Sequence, residues 1–104
     1  MTSLDPIGAV MLVRVWEYEV VAGRAAEFER LYGSVGAWAQ LFARSAGHLS
    51  TELYRGVDQP ARYLTMDRFS DTDSWHQFLR EHGDDYAELD SRCAQLTTSQ
   101  VEIR

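Results

Sequence analysis

Four runs rich in β-branched and aromatic residues are separated by segments of helical periodicity, and their order constrains the fold more than any other feature of the sequence. Residues 11–20 (MLVRVWEYEV) predict a first strand, because this composition is typical of strands and not of an amphipathic helix. Two further strands are expected over 48–55 and 62–69, and a weaker last strand over 96–103. The turn-forming residues 56–60 predict that the two middle strands form a hairpin.

The segment after the first strand carries apolar side chains at helical spacing. Phe28, Leu31 and Tyr32 stand at i, i+3 and i+4, which predicts one broken helix or two helices over residues 24–45. Gly47 is then expected to end the helical segment.

A later helix has its own start signal. Ser70 is the predicted N-cap, with Asp73 at the capping-box position. Trp75, Phe78 and Leu79 lie on the predicted buried stripe, and Gly83 is expected to interrupt the helix.

The resulting order is β-α-β-β-α-β, which predicts an α+β, ferredoxin-like fold with a four-stranded antiparallel sheet and helices on one face. The chain has 104 residues, a length suited to one domain. We expect that domain to span residues 10–104, after a flexible arm over residues 1–9.

Both faces of the predicted sheet carry large apolar side chains. Val13 and Val15 point to one face of the first strand and Trp16 to the other, and Leu49 and Thr51 are expected to share a face of the second strand. The helices can cover only one face, and an uncovered apolar face is unusual in a monomer. A symmetric homodimer packed sheet against sheet is therefore expected.

Charge and cysteine content exclude several classes of partner. The formal net charge is −6, which argues against binding to nucleic acid or to an anionic membrane. The single cysteine, Cys93, has no partner for an internal disulfide. His76 and His82 do not share a helix face, so no metal site is expected there. The apolar run over residues 7–13 is too short to span a membrane, and a cytoplasmic protein is expected.

The stretches VRVWEYEVVAGRAAEFERLYG, WAQLF, GHLSTELYR and RYLTMDRFSDTDSWHQF together resemble the antibiotic biosynthesis monooxygenase (ABM) family. The resemblance covers about residues 11–103 and lies in the order, spacing and aromatic placement of these segments. It implies a dimeric α/β barrel with a pocket in each subunit between sheet and helices. For the family's characterised enzymes it implies oxidation of polycyclic phenols or quinols by dioxygen, with neither metal nor flavin, so no cofactor is expected.

The chain also departs from two types of enzyme in that family. Haem-degrading relatives share an asparagine on the first strand with a tryptophan and a histidine on the second helical segment, and quinol-oxidising relatives also use an asparagine. This chain contains no asparagine and has Glu17, Tyr18 and Glu19 in that stretch of the first strand. Haem degradation is therefore not expected. The alternative to an oxygenase is a non-catalytic homodimer that binds a small hydrophobic ligand or serves as an accessory protein.

His48 and Asp67 are the candidate catalytic residues, because cofactor-free oxygenation of a phenol begins when a base removes a proton. His48 begins the second strand, and the favoured structural interpretation is that it caps the carbonyls of the preceding helix. Asp67 lies among apolar neighbours on the third strand, where a carboxyl is either paired with a cation or raised in pKa. An ion pair with Arg14 or Arg68 is the favoured interpretation, and a catalytic base is the second.

Aromatic side chains are dense on the predicted buried stripes, and most are expected to belong to the core. Large aromatic groups around a cavity are also what a flat hydrophobic ligand requires. The candidates for substrate binding, a small aromatic or hydrophobic ligand being expected, are Trp38, Phe42, Tyr63 and Trp75.

Overall fold

The structure is a computed structural model that describes residues 10–104, and the predicted arm over residues 1–9 lies outside the described part. The predicted order of strands and helices is confirmed, with two separate helices before the hairpin. The elements are β1 Leu12–Val20, α1 Ala25–Tyr32, α2 Ala37–Phe42, β2 His48–Arg55, β3 Arg62–Phe69, α3 Thr72–Cys93, a 3₁₀ turn Ala94–Leu96 and β4 Thr97–Ile103.

The four strands form one antiparallel sheet in the order β2-β3-β1-β4. This arrangement confirms the ferredoxin-like α+β fold. The helices cover one face of the sheet, here called the inner face, and the core lies between them. Phe28, Phe69 and Phe78 are fully buried there.

Helix α3 begins one residue later than predicted. Its N-cap is Asp71, whose Oδ1 accepts a hydrogen bond of 2.7 Å from the backbone N–H of Ser74. Ser70, the predicted cap, instead donates its backbone N–H to the carbonyl of Gly47, because the chain is still leaving β3 at that point. The non-helical residue inside α3 is His82, directly before the predicted Gly83.

Strand β2 contains a bulge that the alternation of its residues does not show. His48 pairs with Phe69 and Ser50 pairs with Arg68, so Leu49 is an extra residue on β2. Leu49 is therefore 53% exposed, and the prediction that it shares a face with Thr51 is wrong. A bulge re-aims the side chains on one side of it, and here it turns His48 to the inner face.

The opposite face of the sheet, here called the outer face, has no helix over it within residues 10–104. Its apolar side chains are partly or largely exposed, as the sequence predicted, and they are Val13, Val15, Leu64, Met66, Val101 and Ile103. An ion pair of 3.0 Å between Arg68 and Glu52 borders them. In the same described part, none of the helices is long and apolar enough to cross a membrane.

Candidate active site

A cavity lies between the inner face of the sheet and the helices. The space open to the centre of a water molecule is about 70 Å³, several times the ~15 Å³ that one water molecule requires. Its aromatic wall consists of Trp16, Tyr18, Tyr32, Trp38, Phe42 and Tyr86. Its polar lining consists of Arg14, Thr51, Thr65, Asp67, Asp90 and Gln100. The core is therefore not filled at this point.

The cavity opens at one edge of the sheet. Gln100, on the edge strand β4, is the exposed residue of the lining, and the half-buried Asp90 of α3 lies beside it. Thr51 and Asp67 lie deep in the cavity and are 6% and 7% exposed. The lining is therefore most open to solvent at Gln100 and most buried at Thr51 and Asp67.

The strand register places three polar side chains in one row across the inner face. Asp67 on β3 is opposite Thr51 on β2 and opposite Arg14 on β1. Directly opposed residues of antiparallel strands share a face and lie within contact distance. The row is therefore a consequence of the pairing of three strands, and no loop is needed to hold it.

Asp67 is a buried carboxylate without a cation on it. Its Oδ1 accepts a hydrogen bond of 2.8 Å from the Thr51 hydroxyl, and no hydrogen bond to Oδ2 is formed within residues 10–104. Arg14 pairs with Glu102 at 2.8 Å, and Arg68 pairs with Glu52 on the outer face. The predicted ion pair of Asp67 with one of these arginines is therefore wrong.

Removal from water changes the acidity of Asp67. Burial raises its pKa to about 6, although the Thr51 hydrogen bond and the charge of Arg14 both act in the opposite direction. A carboxyl with such a pKa is largely ionised at neutral pH and accepts a proton more readily than an exposed carboxylate does. This combination suits a general base.

Arg14 is held on three sides at the cavity wall. Its guanidinium pairs with Glu102, donates a long hydrogen bond of 3.5 Å to the Tyr86 hydroxyl and lies 4.3 Å from the ring centroid of Trp75. Cation–π contact of this kind favours the charged guanidinium. Arg14 is therefore a fixed positive charge on the same wall as Asp67.

The six predicted site residues fall into two groups. Asp67, Trp38 and Phe42 line the cavity together. The other three do not line it, and their predicted roles in catalysis or substrate binding stay predictions: His48, Tyr63 and Trp75.

Tyr63 and Trp75 pack against residues that line the cavity or lie next to its lining. The Tyr63 hydroxyl donates to Glu29 on α1, and its ring packs against Phe28 at 4.9 Å. Trp75 packs on the guanidinium of Arg14 and is not part of the cavity lining. Both are buried, and the structure places them in the surrounding core.

Trp38 presents a ring to the cavity but leaves its polar atom unpaired. The ring meets Tyr86 edge-on at 5.2 Å and Phe42 at 5.7 Å. The indole Nε1 is buried and has no hydrogen-bond partner in the described part of the chain. Burial raises the pKa of the Tyr32 hydroxyl and of the Cys93 thiol, which lie near this indole.

His48 lies behind the far end of the cavity. Its Nε2 is 2.9 Å from the Thr51 hydroxyl oxygen, and its ring packs on Phe69 and Phe42. Its side chain contacts Thr51, not the helix carbonyls, so the favoured capping interpretation is not what the structure shows. Partial burial lowers the pKa of His48.

Thr51 is the functional candidate that sequence reasoning missed. Its hydroxyl connects Asp67 to His48, and residues 48 and 51 would lie on opposite faces of a regular strand. Only the bulge at Leu49 brings them together.

No cluster of three or more His, Cys, Asp or Glu side chains that could hold a metal ion occurs within residues 10–104.

Comparison with known proteins gives one family and one fold. The family described as antibiotic biosynthesis monooxygenase matches residues 11–86. No curated protein matches the chain at a significant level.

Several solved structures are similar over nearly their whole length. Two structures of SnoaB, a cofactor-independent oxygenase from Streptomyces nogalater, have 23% and 24% identity and TM-scores of 0.70 and 0.67, with 90% of this chain and 91% of SnoaB covered. A candidate antibiotic biosynthesis monooxygenase from Nitrosomonas europaea has 13% identity and a TM-score of 0.69, with coverages of 93% and 89%. A conserved protein from Methanosarcina mazei has 16% identity and a TM-score of 0.66, with coverages of 92% and 93%. At these identities the likeness concerns the fold alone.

Proposed function

Because the chain belongs to the antibiotic biosynthesis monooxygenase family, we propose that it oxidises an electron-rich phenol or quinol with dioxygen, without a cofactor. The observation that carries the proposal is Asp67, a buried carboxylate that faces an aromatic cavity with one oxygen free of hydrogen bonds to the described residues. SnoaB, which has the same fold, is described as a cofactor-independent oxygenase. The low identity supports the fold only, so the side chains have to carry the chemistry.

The first step is removal of the phenolic proton by Asp67 Oδ2. Proton transfer to a positioned base contributes about 10²–10⁴-fold to a rate when the pKa of the base is close to the working pH. Burial brings the pKa of Asp67 to about 6. Arg14 on the same wall stabilises the phenolate that forms, because a fixed positive charge in a site with little water acts strongly on a nearby anion.

Dioxygen then reacts with the phenolate. The phenolate gives one electron to dioxygen, and the resulting radical and superoxide combine at the para ring carbon to form a peroxide. In a phenol whose para carbon carries a hydrogen, loss of that hydrogen and of water leaves a quinone. A hydroquinone, which carries a hydroxyl there, instead gives the quinone and hydrogen peroxide. For the phenol, one oxygen atom enters the product, and the other leaves as water with the phenolic and ring hydrogens, so atoms and electrons balance.

The aromatic wall serves both reactants. Planar rings such as Trp38 and Phe42 offer flat contacts to a planar substrate. The same apolar surface keeps water away from the radical pair, which favours recombination over escape. A substrate has to fit this cavity. It is expected to enter at Gln100 and to direct a hydroxyl towards Asp67.

The test is dioxygen consumption with a panel of anthrone-type phenols and hydroquinones, measured for the native chain and for Asp67→Asn. We expect uptake by the native chain and a loss of about 100-fold in Asp67→Asn. Asp58→Asn is the matched control, because Asp58 is exposed in the hairpin turn. Uptake that is equal in the native chain and Asp67→Asn would refute the role of Asp67.

The same panel separates an oxygenase from a binding protein. A ligand that quenches tryptophan fluorescence in the native chain, but is recovered unchanged under dioxygen, supports the non-catalytic alternative. Trp38 makes this measurement sensitive, since its ring lines the cavity.

We also propose that a second copy of the chain covers the outer face. The supporting observations are the exposed apolar side chains of that face and the absence of a covering helix within residues 10–104. Analytical ultracentrifugation of the native chain is expected to give a dimer, and Met66→Glu is expected to give a monomer. Val57→Glu, a change at the exposed hairpin turn, is the control. A native monomer in dilute buffer would rule out this interface.

A further inference from the structure

Two consecutive hydrogen bonds lead away from the cavity along the inner face of the sheet. Asp67 Oδ1 is 2.8 Å from the Thr51 hydroxyl oxygen, which is 2.9 Å from His48 Nε2. The cavity opens at β4, and His48 lies on β2, the strand at the opposite edge of the sheet. These two hydrogen bonds therefore connect the buried carboxylate to a side of the molecule that a bound substrate would leave free.

We propose that Thr51 and His48 form a proton outlet for Asp67, which carries away the proton taken from the substrate while the substrate blocks the mouth of the cavity. This inference rests on the function proposed above. Asp67 is the catalytic residue, and Thr51 and His48 act through it.

The outlet meets a need of the proposed reaction. Asp67 takes up a proton twice in each turnover, first from the phenol and then from the ring carbon of the peroxide. It has to lose the first proton before it can accept the second. Both protons pass into solvent, and the oxygen atom that leaves as water takes up two protons from solvent. The complete turnover therefore neither consumes nor releases protons.

A hydroxyl group suits the middle position of such a chain. It has one hydrogen to donate and lone pairs to accept with, so it can work in either direction. With Asp67 ionised, Thr51 donates to Oδ1. After Asp67 is protonated and its carboxyl turns, the acid proton passes to the Thr51 oxygen and the Thr51 proton passes to His48 Nε2. The Asp67 O–H bond breaks as an O–H bond forms on Thr51, and the original Thr51 O–H bond breaks as an N–H bond forms at His48 Nε2. The imidazolium then releases its Nδ1 proton to water, and exchange between the two ring tautomers through solvent frees Nε2 before the next transfer.

Charged groups around Asp67 act on its pKa in both directions. Arg14 favours the ionised form of Asp67, and Glu52 opposes it. Tyr86 and Asp90 of α3 share the cavity with Asp67.

The surroundings of His48 are apolar. Phe42 of α2 and Phe69 of β3 pack on its ring. No charged side chain of the described residues forms an ion pair or hydrogen bond with it. Burial raises the pKa of Asp67 to about 6 and lowers that of His48 from its ordinary value. Burial thus acts on the two pKa values in opposite directions, upward for Asp67 and downward for His48.

The kinetic test compares Thr51→Val, which removes the hydroxyl, with Thr51→Ser, which keeps it. We expect kcat to fall about tenfold or more in Thr51→Val with KM nearly unchanged, and to recover in Thr51→Ser. His48→Gln is expected to lose a similar factor and to regain rate when imidazole is added. His76→Gln, which changes an exposed histidine of α3, is expected to behave as the native chain.

A second measurement does not depend on turnover. The ring resonances of His48, followed by NMR against pH in the native chain, are expected to show a second inflection where Asp67 titrates. That inflection should persist in Thr51→Ser and disappear in Thr51→Val and Asp67→Asn. If it is present and no phenol is oxidised, the outlet stands and the proposed function fails. Identical His48 titrations in all four proteins, or full kcat in a folded Thr51→Val, would overturn the outlet.

Discussion

Arg14 and Asp67 are register partners on neighbouring strands, yet each side chain binds a different group. Arg14 pairs with Glu102 on β4, and Asp67 accepts its hydrogen bond from Thr51 on β2. The arginine is close enough to lower the pKa of Asp67, but burial outweighs it. Glu102 thus keeps Asp67 without a cation and available as a base.

Asp67→Asn is expected to stabilise the fold at neutral pH. The rise in pKa from 3.8 to about 6 corresponds to about 3 kcal/mol at 1.36 kcal/mol per pKa unit. Below pH 3.8 the carboxyl is protonated in both the folded and the unfolded chain, so its burial carries no charge penalty. Between pH 3.8 and about 6 the unfolded chain ionises this carboxyl while the folded chain keeps it protonated, so stability falls over this range and the full loss is present above about 6.

Urea unfolding of the native chain and of Asp67→Asn at several pH values measures this effect. The stability advantage of the variant should grow from pH 4 to pH 7 and stay constant above. Asp58→Asn should show no such growth. An advantage that does not change with pH contradicts the burial effect.

Glu102→Gln is expected to lower the pKa of Asp67. Without its carboxylate partner, Arg14 is free to turn towards the row that it shares with Asp67. An opposite charge at contact distance lowers a carboxyl pKa by about 1–3 units. The ¹³C carboxyl resonance of Asp67 followed against pH gives the value, and Glu88→Gln, on an exposed part of α3, is the control. An unchanged or higher pKa would mean that Arg14 stays where it is.

The fold could be predicted from the sequence because its signals are local. Residue composition marked β1, and helical spacing at Phe28, Leu31 and Tyr32 marked α1. The order of these signals was sufficient for the ferredoxin-like topology. The start of α3 was misplaced by one residue, because Ser70 and Asp71 are both good N-caps and only the exit angle of β3 decides between them.

The site could be predicted only in part, because it depends on pairings between distant segments. Asp67 was found from its chemistry among apolar neighbours. That Arg14 pairs with Glu102 depends on how β1 pairs with β4, which the spacing of residues does not indicate. Thr51 was missed because the bulge at Leu49 reverses the faces of β2, and no residue at that position marks a bulge.

Two glycines are expected to respond in opposite ways to alanine. A Cβ at Gly36 would overlap the carbonyl oxygens of Arg30 and Leu31, since the chain turns tightly between α1 and α2. Gly36→Ala should therefore lose about 2 kcal/mol of unfolding free energy. Gly83 follows the non-helical His82 inside α3, and nothing lies within 4 Å of such a Cβ, so Gly83→Ala should gain stability, by less than the ~1 kcal/mol of a helix-interior position. Thermal unfolding of both variants measures the difference, and a stabilised Gly36→Ala would mean that the turn is not as tight as described.

The two buried tryptophans are expected to differ in their tolerance of phenylalanine. Trp38→Phe removes an indole N–H that has no partner among the described residues, and an unpaired buried donor is destabilising by about 1–3 kcal/mol. That gain offsets the smaller ring, so the net change should be below about 1 kcal/mol. Trp75→Phe shrinks the ring beneath Arg14 and should be more destabilising, because phenylalanine holds a cation less strongly. Urea unfolding at pH 7 compares the two directly. A greater loss in Trp38→Phe than in Trp75→Phe would show that the Trp38 N–H has a partner after all.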